Sequence, residues 1–113
     1  MSGVEMTILK RNNMKPPYYA VIFTSFLSEN TKGYNEMAIK MEAFAKQQPS
    51  FLGIESAREE VGITVSYWKT LDAIKIWKAN VDHQGAQKLG KEKWYQSYKV
   101  RICKVEREYE YKN

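Results

Sequence analysis

GITVSYWKTLDAIKIW, residues 62–77, changes its hydrophobic period midway. Ile63, Val65 and Tyr67 alternate with Thr64, Ser66 and Trp68, the two-residue period of a strand. From Thr70 the apolar positions become Ala73, Ile74, Trp77 and Val81, which share one face of a helix. Thr70 suits the N-cap, because its hydroxyl can accept a bond from an orphan amide of the first turn. Asp72 then places a carboxylate at the positive end of the helix dipole. The stretch predicts a buried strand followed by a helix that folds back over it.

The rest of the chain is placed around this unit. Val4 to Lys10 reads as a possible edge strand, set apart by Asn12-Asn13 and Pro16-Pro17, so residues 1–17 form an N-terminal extension. The domain proper is predicted over residues 18–113. Tyr18 to Leu27, YYAVIFTSFL, is apolar on both faces, as an inner strand covered on each side would be. Gly33 or a neighbour opens a first helix, whose face is Tyr34, Met37, Ala38, Met41, Phe44, Ala45 and Gln48. Pro49 ends it, since the residue before a proline disfavours helical torsions. Phe51 to Glu59 resumes a strand, with Glu60, Val61 and Gly62 as the hairpin turn. The second helix runs to Gly90, read as a left-handed stop, and one more turn over Lys91 to Gln96 returns Trp94 to the body.

The last strand changes phase. Tyr98, Val100 and Ile102 are apolar on even positions; Cys103, Val105, Tyr109 and Tyr111 on odd ones. Either it bulges near Ile102 or it passes from one environment to another. It also reads as about fourteen residues, longer than a small sheet needs. The element order is that of a ferredoxin-like βαββαβ antiparallel sheet with helices on one face, an α+β fold. One sheet face is then left apolar and uncovered, and a second copy of the chain is the simplest cover.

Composition excludes several classes. The 113 residues suit one domain with one core. A single cysteine fits a reducing, cytoplasmic setting, and no apolar run is long enough to span a bilayer. The net charge of +5 is concentrated in residues 62–104, which carry nine basic and three acidic side chains. Lysine dominates that excess and reads as a solvated face, whereas phosphate recognition favours arginine. With one His and one Cys no metal constellation forms, and no glycine-rich phosphate motif indicates a nucleotide or flavin, so no cofactor is expected. Cys103 reads as a small apolar filler.

YYAVIFTS, QQPSFLGIESARE, GITVSYWKTLDAIKIWK and LGKEKWYQSYKVRICKVERE together resemble the antibiotic biosynthesis monooxygenase (ABM) domain family. The strongest signatures are Pro-x-Phe-x-Gly at Pro49 to Gly53 and Tyr-Trp-x-x-x-x-Ala-x-x-x-Trp at Tyr67 to Trp77. The resemblance implies a dimeric α+β barrel, two ferredoxin-like sheets closed face to face, with a pocket between each sheet and its helices. It also implies a function among cofactor-independent oxygenases of aromatic substrates, haem-degrading enzymes or members without known activity. The haem-degrading branch uses an asparagine on the first strand, a tryptophan on the second helix and a histidine ten residues later. Trp77 matches that tryptophan, but Gln87 stands at the histidine position and the first strand has no asparagine. Haem degradation is therefore not expected.

The residues then allow these roles. Trp77 is either core or a pocket wall, and His83, the single histidine, is either a base or donor at the pocket mouth or a surface residue in a helix break. Asp82 is the one visible orienting partner for His83. Phe23, Met37, Met41, Ile54, Tyr67, Gln87 and Trp94 are the other candidates to line a pocket suited to a flat apolar or aromatic ligand. The expected function is ABM-type oxygenation of a small aromatic substrate; the alternative is a non-catalytic, small-molecule-binding or stress-related dimer. A single-strand RNA binder shares the strand order but needs a Lys/Arg-Gly-Phe-x-Phe setting that residues 63–68 lack, so no nucleic-acid partner is expected.

Overall fold

A computed structural model describes residues 5–10, 15–83 and 85–113, the side chains of residues 5–10, His83 and Gln87 excepted. The elements are β1 (Glu5–Lys10), β2 (Tyr18–Leu27), α1 (Tyr34–Gln47), β3 (Phe51–Arg58), β4 (Val61–Trp68) and α2 (Leu71–His83). A short α3 (Ala86–Leu89), a π-helical turn over Gly90–Trp94 and β5 (Tyr95–Val105) complete the chain. The strands form one antiparallel sheet in the order β1-β3-β4-β2-β5. Strands β2 to β5 with α1 and α2 reproduce the ferredoxin-like βαββαβ order, and β1 adds a fifth strand along β3.

Local chemistry sets the ends of these elements. The Ala73 amide donates to Thr70 Oγ1 at 3.0 Å, the predicted cap of α2. Helix α1 stops at Gln47, and Gln48, before Pro49, is extended at φ −75°, ψ 132°. Three expectations are corrected. The hairpin turn is confined to Glu59 and Glu60, because Val61 and Gly62 already pair within the sheet. The left-handed stop after α2 is Gly85, at φ 75°, not Gly90. The register of β5 on β2 is continuous from Val105 to Ser97 and shifts only at Phe26–Leu27, so there is no bulge at Ile102. The strand is eleven residues long, and its apolar positions pass from one sheet face to the other.

Register separates the faces, since directly paired residues share one. Tyr19, Val21, Phe23 and Ser25 pair with Trp68, Ser66, Thr64 and Gly62; Ile54 and Arg58 of β3 lie in the same rows. This is the helix-side face, where Phe51 and Trp68 pack with Ala45 of α1 and Ala73 and Ile74 of α2. Trp68 is fully buried, and its indole N–H donates to Ser66 Oγ at 2.9 Å. The opposite face carries Ile22, Val65, Ile63 and Phe26, the last two 44% and 45% exposed. It also carries a polar corner in which Tyr18 donates from its hydroxyl to Glu108 Oε2 at 3.0 Å. Tyr67 meets Tyr18 edge-on there, with ring centroids 5.7 Å apart. Cys103 faces this side too, exposed rather than serving as a filler, because β5 is the sheet edge.

Two stability predictions follow from these contacts. Trp68→Phe removes indole volume and orphans the Ser66 hydroxyl, a combined cost of about 2–4 kcal/mol. Urea unfolding should show that loss, and adding Ser66→Ala should recover part of it; an unchanged midpoint would contradict the assignment. Burial, and then the bond to Glu108, push the Tyr18 phenol up to about 12. Burial, followed by the charge of Glu55, raises Tyr67 as well. A raised folded pKa means the stabilisation is complete below the unfolded value of about 10 and is lost as pH climbs through about 12. Unfolding midpoints should therefore hold to about pH 9 and fall above pH 10, by roughly 1 kcal/mol for Tyr18, whose bond is to the exposed and screened Glu108. The fall should be shallower in Tyr18→Phe.

Candidate functional site

The helix-side face is closed at both ends and open between them. At one end the Phe51 and Trp68 rings meet edge-on at 5.5 Å, and Trp77 of α2 stacks on Trp68 at 5.7 Å and 29°. At the other end Phe23 stacks on Tyr98 at 5.2 Å and meets Tyr95 edge-on at 5.3 Å. Tyr34, in the first turn of α1, contacts the rings of both Trp94 and Tyr95. Between the two clusters Ile54 and Thr64 on the strands and Met37 and Met41 on α1 remain only half-buried. That row is less buried than the Phe51–Trp68 core beside it, and it is the candidate cleft of the helix-side face.

One end of the cleft is polar. Arg58, Gly62 and Ser25 form a single row across β3, β4 and β2. The Arg58 guanidinium crosses β4 above Gly62, donating from Nη2 to Ser25 Oγ and from Nη1 to the Ser25 carbonyl at 3.4 Å. A Cβ on residue 62 would lie 2.1 Å from Arg58 Cζ, so glycine supplies the trough that the guanidinium occupies. Arg58 Cζ also lies 5.8 Å from the Tyr34 ring centroid, a cation–π distance. The Tyr34 and Tyr95 rings meet edge-on, with centroids 5.8 Å apart. Burial first, then Tyr34, hold Tyr95 well above the usual phenol range, while the charge of Arg58 pulls it down.

The π-helical turn delivers Tyr95 to this position. The Tyr95 ring packs on Gly90, where a Cβ would lie 2.8 Å from Tyr95 Cδ2. The preceding loop anchors the turn: the Ser28 amide donates to the Trp94 carbonyl at 2.7 Å, and Trp94 Nε1 donates to the Lys32 carbonyl at 2.8 Å. Beside it, a shallow depression of about 500 Å³ is lined by Lys32, Glu36, Met37, Lys40, Leu89 and Trp94, among others.

The structure thus brings Phe23, Ile54, Met37, Met41 and Trp77 to the helix side of the sheet, with Met37 and Trp94 sharing the depression. Tyr67 lies on the other face, because it pairs with Ala20 one residue out of phase with Ser66 and Trp68. The side chains of His83 and Gln87 lie outside the described residues; their backbones belong to the end of α2 and to α3. Asp82, the expected partner of His83, accepts a bond from Lys78 Nζ at 3.2 Å. Sequence reasoning missed Arg58, Ser25, Tyr34, Tyr95 and Tyr98 as a polar group. The available signals were Gly62 across the hairpin from Arg58 and the Tyr-x-x-Tyr of residues 95–98. Among the described residues no group of three or more His, Cys, Asp or Glu side chains could hold a metal ion. No described helix is long and apolar enough to cross a membrane.

No family model matches the chain. It is 53% identical over 96 residues to the protein YqjZ of Bacillus subtilis (strain 168), itself described as uncharacterized, covering 83% of this chain and 84% of that one. A proposed antibiotic biosynthesis monooxygenase of Nitrosomonas europaea superposes with a TM-score of 0.68 at 9% identity, over 82% of this chain and 94% of its own. A proposed monooxygenase of Fusobacterium nucleatum gives a TM-score of 0.71 at 11% identity, covering 92% of this chain and 56% of that one. At such low identity these two likenesses speak for the fold, and the first comparison speaks for descent. The chain belongs to the same family as YqjZ, and its fold is that of the antibiotic biosynthesis monooxygenase-like proteins.

Proposed function

We propose that this protein is a homodimeric, cofactor-independent monooxygenase of a small aromatic substrate, acting in the cleft between its sheet and helices. The observation that carries the reading is the half-buried row of Ile54, Thr64, Met37 and Met41, walled by aromatic rings and ended by phenols and a guanidinium. Apolar walls with a few convergent polar groups suit a flat ligand. In the reaction a substrate methylene loses a proton, and the carbanion adds dioxygen to form a C–O bond. The resulting hydroperoxide breaks its O–O bond and loses water to leave a carbonyl. The substrate supplies the electrons, so the protein's tasks are to take the proton, stabilise the anion and exclude water. His83 is the candidate base and Trp77 the candidate wall; domain boundaries at residues 18–113, with 1–17 as an extension, belong to the same reading.

The packing of Trp77 on Trp68 supports a second reading, a binding dimer without catalysis, because it gives Trp77 a structural role independent of any substrate. Oxygen uptake on a panel of anthrones and electron-rich phenols, without added metal or flavin, separates the two. The enzyme reading expects turnover that falls at least tenfold in His83→Ala and in Trp77→Phe with the dimer intact. Turnover unchanged in both variants would move the chemistry elsewhere, and no turnover on any substrate would leave the binding module.

The second copy is expected on the helix-free face, where Ile63 and Phe26 stand 44% and 45% exposed beside Ile22 and Val65. Burying such a face is worth about 25 cal/mol per Å² of apolar area removed from water. Light scattering at micromolar concentration should give twice the chain mass, and Ile63→Lys should halve it. A wild-type monomer would contradict the dimer.

A further inference from the structure

We infer that Arg58, with the phenols of Tyr34, Tyr95 and Tyr98, is the anchor for an acidic oxygen on the aromatic ligand, so that the protein selects aryl carboxylates over neutral aryl compounds. The inference rests on the cleft being the ligand site and adds what it recognises there.

The groups gathered at this end are hydrogen-bond donors. A guanidinium carries five N–H donors, and Ser25 takes two bonds from Arg58. Those two bonds fix the planar fork to β2, so little further conformational freedom is lost when a carboxylate docks on it. Tyr34 and Tyr95 meet edge-on with ring centroids 5.8 Å apart, and each phenol carries one O–H donor. Tyr98 stacks against Phe23 and meets Tyr95 edge-on with ring centroids 5.6 Å apart, which places a third phenol in the same cluster. Charge-assisted bonds from such donors to a carboxylate are roughly twice as strong as neutral ones.

The position of Arg58 also sets what shape of ligand it can serve. The guanidinium occupies the trough above Gly62 and bonds Ser25 on β2, the strand that carries Phe23 on the same face. A planar ligand lying on Ile54 and Thr64 meets aromatic edges along its length and the donors at one end. Residues 62–104, with nine basic and three acidic side chains, add a field that raises the local concentration of anions. The lysine-rich half thereby contributes to capture, while Arg58 contributes selection.

The test is binding of 2-naphthoate and of its neutral isostere 2-naphthamide to the full chain, followed by calorimetry at pH 7.5. The wild type should bind naphthoate at least tenfold more tightly than naphthamide. Arg58→Gln should abolish that preference while naphthamide binding stays within twofold. Arg58→Lys keeps the charge and a donor for Ser25 but loses the fork, and should lose at least fivefold for naphthoate alone. Gly62→Ala keeps the arginine and displaces its guanidinium, and should behave like Arg58→Lys, which guards against a fold defect in the glutamine variant. Equal affinity of the wild type for both probes overturns the anchor and leaves the cleft standing. Naphthoate binding that survives Arg58→Gln but is lost in Lys40→Ala overturns it too, placing the anion in the lysine-lined depression. Binding of neither probe overturns both the anchor and the cleft.

Discussion

Two indoles fill the ends of the space between the helices and the sheet, and the candidate cleft lies between them. Trp68 rises from the end of β4 and is fully buried beneath α2, with Trp77 laid against it. Trp94, 5% exposed, fills the opposite end under the first turn of α1. An indole is among the largest side chains, so two of them at the ends keep smaller residues between them from meeting their partners. Ile54, Thr64, Met37 and Met41 are left half-buried between the two indoles. Each prop also has its polar atom satisfied, by Ser66 Oγ and by the Lys32 carbonyl, so neither incurs the cost of an orphaned donor.

Glycine contributes space as much as conformation. Gly62 makes room for the Arg58 guanidinium and Gly90 for the Tyr95 ring, and neither has a positive φ. Both substitutions to alanine would press on a side chain of the polar cluster rather than on the backbone. The sheet edge at β5 carries Lys99, Arg101 and Lys104, charges that discourage edge-to-edge pairing with other chains. Part of the basic excess of the second half thus sits on a sheet edge.

Most of the architecture was legible in the sequence because periodicity reports burial directly. The switch at Thr70 located β4 and α2, the apolar run from Tyr18 gave the inner strand, and Pro49 gave the end of α1. The errors fell where space or register, not pattern, decides. Gly90 resembles a helix stop in sequence, yet it is the neighbour of an aromatic ring five residues on. Tyr67 has the composition of a pocket residue, but a pairing with Ala20 puts it behind the sheet. Arg58 is unremarkable in sequence; its importance comes from Ser25, thirty-three positions earlier, which the β3-β4-β2 order brings two strands away.

The π-helical turn over Gly90–Trp94 carries a consequence for how sequences of this kind can vary in length. Such a turn is an α-helical turn with one residue inserted, and removing that residue rotates everything downstream by about 100°. Because β5 follows directly at Tyr95, a single deletion there would not shorten a loop but advance the whole strand by one place. Val100 and Ile102 would change sides with Arg101 and Cys103, and Tyr95 would leave the ring of phenols. The five residues from Gly90 therefore form an indel-intolerant segment within an otherwise exposed connection, and a natural length change in this region should fall before Gly90.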